Sequence, residues 1–119
     1  MSQDLKAGDF LVFQLEAGFG LLRLLAIDES DGAKTYHLAA YNEFFPDVDT
    51  AEAAAANPSG LSVSSSHLAL TERAFESTQV ARIGNSSVTD DEAGLLSRWR
   101  TGEAREISDR SVRLMLGLR

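Results

Sequence analysis

The sequence contains no cysteine. That removes disulfides, thiolate metal sites and thiol catalysis together. Histidine occurs only as His37 and His67, thirty positions apart and without the helical pairing of a zinc protease. Basic charge is in deficit, with 11 Lys and Arg against 18 Asp and Glu, a net charge of −7 and a pI near 4.7. This balance argues against binding nucleic acid, which favours basic stripes, and against anionic membrane surfaces. Long hydrophobic runs are missing too. The longest, Phe19 to Ile27, is broken by Arg23 and falls well short of the ~20 residues that span a bilayer. The opening residues show no basic stretch leading into an apolar one, so no signal peptide is expected. The reading is a cytoplasmic protein with no membrane segment.

What is present fits one globular domain over residues 1–119. Apolar residues make up 44% of a 119-residue chain, enough for a core without a metal or disulfide. The charge is unevenly spread. Residues 1–60 hold ten acids and three bases, whereas residues 61–119 hold eight of each. The whole net charge therefore sits in the first half and raises the prospect of a one-sided acidic surface.

The pattern predicts a strand-rich part over 8–84 and a helical part over 89–117. Gly8-Asp9 reads as a turn into a strand over 10–15, and Glu16-Ala17-Gly18 as a three-residue hairpin loop. A second strand follows to Ile27, with Gly20 permitting a bend. Asp28 to Gly32 reads as a polar turn ending in the Asp-Gly hairpin signal, and a third strand is expected over 34–41. Its alternation sets Tyr36, Leu38 and Ala40 against His37, Ala39 and Tyr41. An acidic excursion over 42–60 leaves the sheet and carries a short alanine helix over 51–56 with Thr50 as its N-cap.

The serine-rich 61–70 reads as an edge strand, 71–77 as a turn, and 78–84 as a last strand with Val80 and Ile83 inward. Thr89-Asp90-Asp91-Glu92 is a capping box that opens a helix with an apolar stripe of Leu95, Leu96 and Trp99. A final short helix, capped by Ser108, would bury Val112, Met115 and Leu116 and stop at Gly117. The expected class is α+β: a twisted antiparallel sheet or partly open β-barrel of five to six strands, one short helix in the insertion and two C-terminal helices.

Most catalytic patterns are absent. There is no Gly-x-Ser-x-Gly elbow, no Rossmann glycine set and no phosphate-binding Gly-Lys-Ser/Thr. Asp47-x-Asp49 starts like a calcium loop but has Ala51, Glu52 and Pro58 where a third ligand, a glycine and a bidentate glutamate are required. No metal site, no cofactor and no catalytic residue are expected. Arg23 in an apolar strand needs a carboxylate, with Asp9 as one partner, or it anchors an anionic ligand together with His37. Each histidine reads as a satisfied structural residue or as a ligand or acid–base group. An acid–base site would require the two rings, or a ring and a carboxylate, to converge in one cleft. Phe44 and Phe45 beside Glu43, Asp47, Asp49 and Glu52 read either as core plus a solvated face or as an aromatic–acidic contact for a basic protein partner.

Two stretches carry a family likeness. Gly8-Asp9-Phe10-Leu11-Val12-Phe13-Gln14-Leu15, followed by Gly18-Phe19-Gly20-Leu21-Leu22-Arg23-Leu24-Leu25, resembles the opening of a family of small bacterial immunity proteins. These begin with Gly-Asp, a strand, a glycine hairpin and a Gly-x-Gly-Arg-aliphatic strand. Gln79-Val80-Ala81-Arg82-Ile83-Gly84 is similar to the family strand that ends in Ile-Gly. The likeness covers residues 6–28 and 75–92. It implies a partly open β-barrel that neutralises a cognate toxin in the producing cell and supplies no catalytic residues. The chemistry of the chain leaves a second possibility, a small-molecule binding β-barrel for an anionic ligand.

Overall fold

The computed structural model describes residues 5–102 and 106–117; the opening residues 1–4, read above for a leader, lie outside this range. Five strands form one antiparallel sheet: β1 (Asp9–Leu15), β2 (Gly18–Ser30), β3 (Ala33–Phe45), β4 (Val63–Thr71) and β5 (Val80–Asn85). Their spatial order is β4-β3-β2-β1-β5, so the sheet is open and has no barrel interior. Four helices accompany it: α1 (Val48–Ala56), α2 (Glu72–Thr78), α3 (Asp90–Thr101) and α4 (Val112–Leu116).

The hairpins follow from turn chemistry. Asp31 and Gly32 both take positive φ, 53° and 78°, as a two-residue primed turn between twisted strands requires. This lets β2 run on to Ser30, past the point where the acidic residues suggested a turn. The first hairpin is shorter than expected, since Leu15 pairs with Gly18 and leaves only Glu16 and Ala17 in the loop. The β2–β3 register shifts just after Gly20, where a bend was expected, and the glycine serves packing too. A Cβ there would overlap the buried Phe13 ring.

Strand alternation sends apolar side chains to both faces, and each face is covered. Leu11, Phe13, Leu22, Leu24, Tyr36, Leu38 and Leu70 form one core with Phe75 of α2 and Val112 of α4. Tyr36 stacks on Phe75 with ring centroids 4.1 Å apart. Phe10, Val12, Leu21 and Phe45 form the other with Ala51 and Ala55 of α1. The same face carries Arg23, whose guanidinium lies 4.6 Å from the Phe10 ring centroid, and there α3 docks. Val80 and Ile83 do turn inward, but to opposite cores.

Several local expectations change. β3 continues through Asn42 and Glu43 to Phe45 instead of leaving the sheet at residue 42. Asp47, not Thr50, caps α1, accepting the Thr50 amide at 2.7 Å, so the helix starts three residues early. Residues 72–78 form a helix where a turn was expected. Thr71 caps it, and burial of Ala74 and Phe75 stabilises a segment too short to be helical alone. Ser111, not Ser108, caps α4. Ser108 instead joins the sheet. Its amide donates to Ala69 O and its carbonyl accepts from the Thr71 amide, so the chain at Ser108 lies against part of the exposed β4 edge. The capping box at Thr89 and Glu92 forms as read.

Candidate functional site

Two polar centres lie between the sheet and α3. The first is built on Arg23, 3% exposed in the middle of β2. Its guanidinium meets Glu92 at 3.1 and 3.2 Å, donates to Ser87 O at 3.0 Å and also donates to Gly8 O. The expected partner Asp9 is occupied elsewhere: it accepts from the Lys6 amide and from Asn85 Nδ2, both at 2.8 Å, and faces Arg82 at 3.8 Å. Glu92 is selected because the capping box already aims it back at the Thr89 amide, over the sheet. Burial pushes the Glu92 carboxyl up, but the bonds from Arg23 and Thr89 outweigh it and hold the group below its ordinary 4.5. Four of the five N–H donors of Arg23 are thus engaged within the protein, and a buried structural ion pair accounts for its place in an apolar strand.

The second centre is a chain of four side chains. His37, fully buried on β3, contacts Asp28 Oδ2 through Nε2 at 3.0 Å and His67 Nε2 through Nδ1 at 2.8 Å. Arg100 of α3 grips Asp28 with Nε at 3.1 Å and Nη2 at 2.5 Å. The Trp99 ring stands nearly perpendicular to both imidazoles, 4.7 Å from His37 and 5.9 Å from His67 between centroids. The β3–β4 register creates this meeting. His37 pairs with Ala69, which places His67 on the adjacent diagonal of the same face. The bond from Arg100 chiefly holds the Asp28 carboxyl below its ordinary value. Burial lowers His37 despite the opposing pull of Asp28. Burial, then the charges of His37 and Arg100, lower His67.

The sign of the pH dependence follows. Both rings have folded values below 6.5, so the unfolded chain takes up protons before the folded one does. Stability from this centre is complete above about pH 6.5 and is lost as pH falls from there through the folded values. Thermal unfolding between about pH 8 and pH 5 is expected to show a flat Tm down to about 6.5 and then a decline. His67→Gln, which has one titrating ring fewer, should shallow that decline. A Tm that stays level to pH 5 would contradict the assignment.

His67 and Trp99 also form a wall of a groove of about 550 Å³ at the β4 edge. Leu68 and Ala69 of β4, Glu106 to Ser108 and Met115 of α4 complete it. Of the residues singled out from sequence, neither Arg23 nor His37 lines this groove: Arg23 is locked by Glu92, and His37 lies behind His67. The two histidines do converge, which sequence spacing could not show. Among the described residues no group of three or more His, Asp or Glu could hold a metal ion.

The 43–52 segment divides between core and surface. Phe45 is 8% exposed and belongs to the core, whereas Phe44 is 54% exposed. Glu43 is tied to Ser62 through its amide at 2.9 Å and its hydroxyl at 2.6 Å. Asp47 is occupied as the cap of α1, and Asp49 and Glu52 are exposed on that helix. The charge asymmetry of the two halves is partly internal pairing, because Asp9 faces Arg82 and Asp28 holds Arg100 across the halves. No helix among the described residues is long and apolar enough to cross a membrane. No family model matches the chain, and neither a curated protein nor a solved structure matches it.

Proposed function

We propose that this protein is a non-enzymatic binding domain of the immunity-protein type, acting in the cytoplasm on a basic toxin domain. The observation that carries this reading is the surface of segment 43–52. It exposes Phe44, Asp47, Asp49 and Glu52, with Glu43 half-buried, and no basic residue occurs between positions 42 and 56. An exposed aromatic within an acidic stretch of chain suits a contact whose core is apolar and whose rim attracts positive charge. The likeness to immunity proteins adds support, since its two stretches supply neighbouring strands, β2, β1 and β5. Surplus negative charge would speed the meeting with a basic partner.

The test is kinetic. With the toxin captured from the source cells and then purified, replacing Asp47, Asp49 and Glu52 together by Lys should slow association about tenfold or more at low salt. It should also flatten the salt dependence. Phe44→Ala should instead raise the dissociation rate. Association as fast as wild type at low salt would remove this segment from the interface.

A further inference from the structure

The groove at the β4 edge has a second property, which follows from hydrogen-bond accounting. An ionised carboxylate can only accept, so His37 Nε2 must donate to Asp28. Burial lowers the proton affinity of His37 and keeps it neutral at pH 7, so its other nitrogen, Nδ1, carries a lone pair. That lone pair lies 2.8 Å from His67 Nε2, which must therefore carry the proton. His67 is neutral for the same reason, so its Nδ1 is left as an acceptor. No partner among the described residues bonds Nδ1, and it is not a sealed, unsatisfied atom. Asp28 thus dictates, through two rings, that Nδ1 is the unengaged acceptor of His67, a residue that lines the groove.

The rest of the groove lining is apolar except for Glu106 and Ser108. The Trp99 indole is fixed at one side, its Nε1 donating to Glu106 O at 3.3 Å. Leu68, Ile107 and Met115 supply aliphatic walls. A volume of about 550 Å³ lies in the range of small-molecule sites. We propose that this groove binds a planar aromatic molecule bearing one hydrogen-bond donor, a phenol or N–H heterocycle, with the donor on His67 Nδ1 and the ring against Trp99. The site is separate from the 43–52 surface and requires neither Arg23 nor a metal.

A matched pair of probes tests it: 4-nitrophenol, and 4-nitroanisole, which has the same ring and no donor. Binding is followed calorimetrically at about pH 6.5, where much of the nitrophenol keeps its proton. The nitrophenol should bind saturably, with Kd between about 10 μM and 1 mM, and the anisole at least about tenfold more weakly. In His67→Gln the amide can keep the contact to His37 at the Nε2 position while the Nδ1 acceptor is gone. Its affinity for nitrophenol should fall to that for anisole, with thermal unfolding still cooperative. A second measurement needs no variant. The His67 Nδ1 nitrogen resonance of the wild-type chain should move on adding nitrophenol and stay in place on adding anisole. Equal binding of the two probes, no saturable binding, or an unmoved Nδ1 resonance at saturation would each overturn the proposal.

Discussion

Arg23→Met is expected to destabilise the protein by about 3–5 kcal/mol, the cost of breaking one side of a buried ion pair. The side chain is 3% exposed, and four groups depend on it: both Glu92 oxygens, Ser87 O and Gly8 O. Methionine fills much of the volume but supplies no donor, so the two carbonyls and the carboxylate lose their partner. For a chain of this size the loss corresponds to a Tm drop of about 10–20 °C. Adding Glu92→Gln should recover part of it. The double variant no longer carries the unpaired carboxylate, while glutamine still serves the Thr89 capping box. Thermal melts of the wild type, both single variants and the double variant measure the coupling. Strictly additive losses would mean that the pair does not act as a unit. A Tm unchanged in Arg23→Met would mean that the arginine merely reaches solvent along an apolar path.

Gly8→Ala is expected to cost about as much, for a different reason. Gly8 has φ +94°, and a Cβ there would overlap the carbonyl oxygen of Ser86. That obstacle is backbone and cannot rotate away. The amide of Gly8 also donates to Leu24 O at 2.7 Å, and its carbonyl accepts from the Ser86 amide at 3.0 Å and from Arg23. Shifting Gly8 therefore disturbs the joint where β1, β2 and β5 meet. Positive φ in a non-glycine residue costs about 1–3 kcal/mol, and the overlap adds about 1–3. Gly32→Ala separates the two contributions. Gly32 has φ +78°, but a Cβ added to it would meet nothing within 4 Å, so only the conformational part remains, about 1–2 kcal/mol. Chemical unfolding of the two variants should thus differ by at least about 1 kcal/mol. Equal losses would remove the Ser86 contact as a cause.

The two centres were legible to different degrees. Arg23 stands out as a guanidinium in an apolar strand, and Glu92 as the closing glutamate of a capping box, but nothing local joins them across 69 positions. From sequence Asp9 is one candidate partner because it opens the neighbouring strand, but it is held by the Lys6 amide, Asn85 and Arg82. The histidine pair was harder still. Alternation places His37 on a definite face of β3, yet its neighbour depends on the β3–β4 register, which shifts twice beyond Leu38. A single-residue slip would send His67 to the opposite face. Trp99 read as core, and it does pack against both rings, but it also forms a groove wall, set by where α3 docks.

Local chemistry determined what could be decided within a few residues. The Asp31-Gly32 turn, the Thr89 capping box, the stop at Gly117 and the division of β3 into two faces all follow from side-chain hydrogen bonding, φ preference and a period of two. The antiparallel α+β class follows from these in turn. The tertiary structure decided what depends on long-range burial. Residues 72–78 became helical because Phe75 found Tyr36, and the sheet stayed open because helices cover both faces. The tertiary structure also paired two acids of the first half with arginines of the second, and of these Asp9 is buried, where a carboxylate is stable only beside a cation or a set of donors.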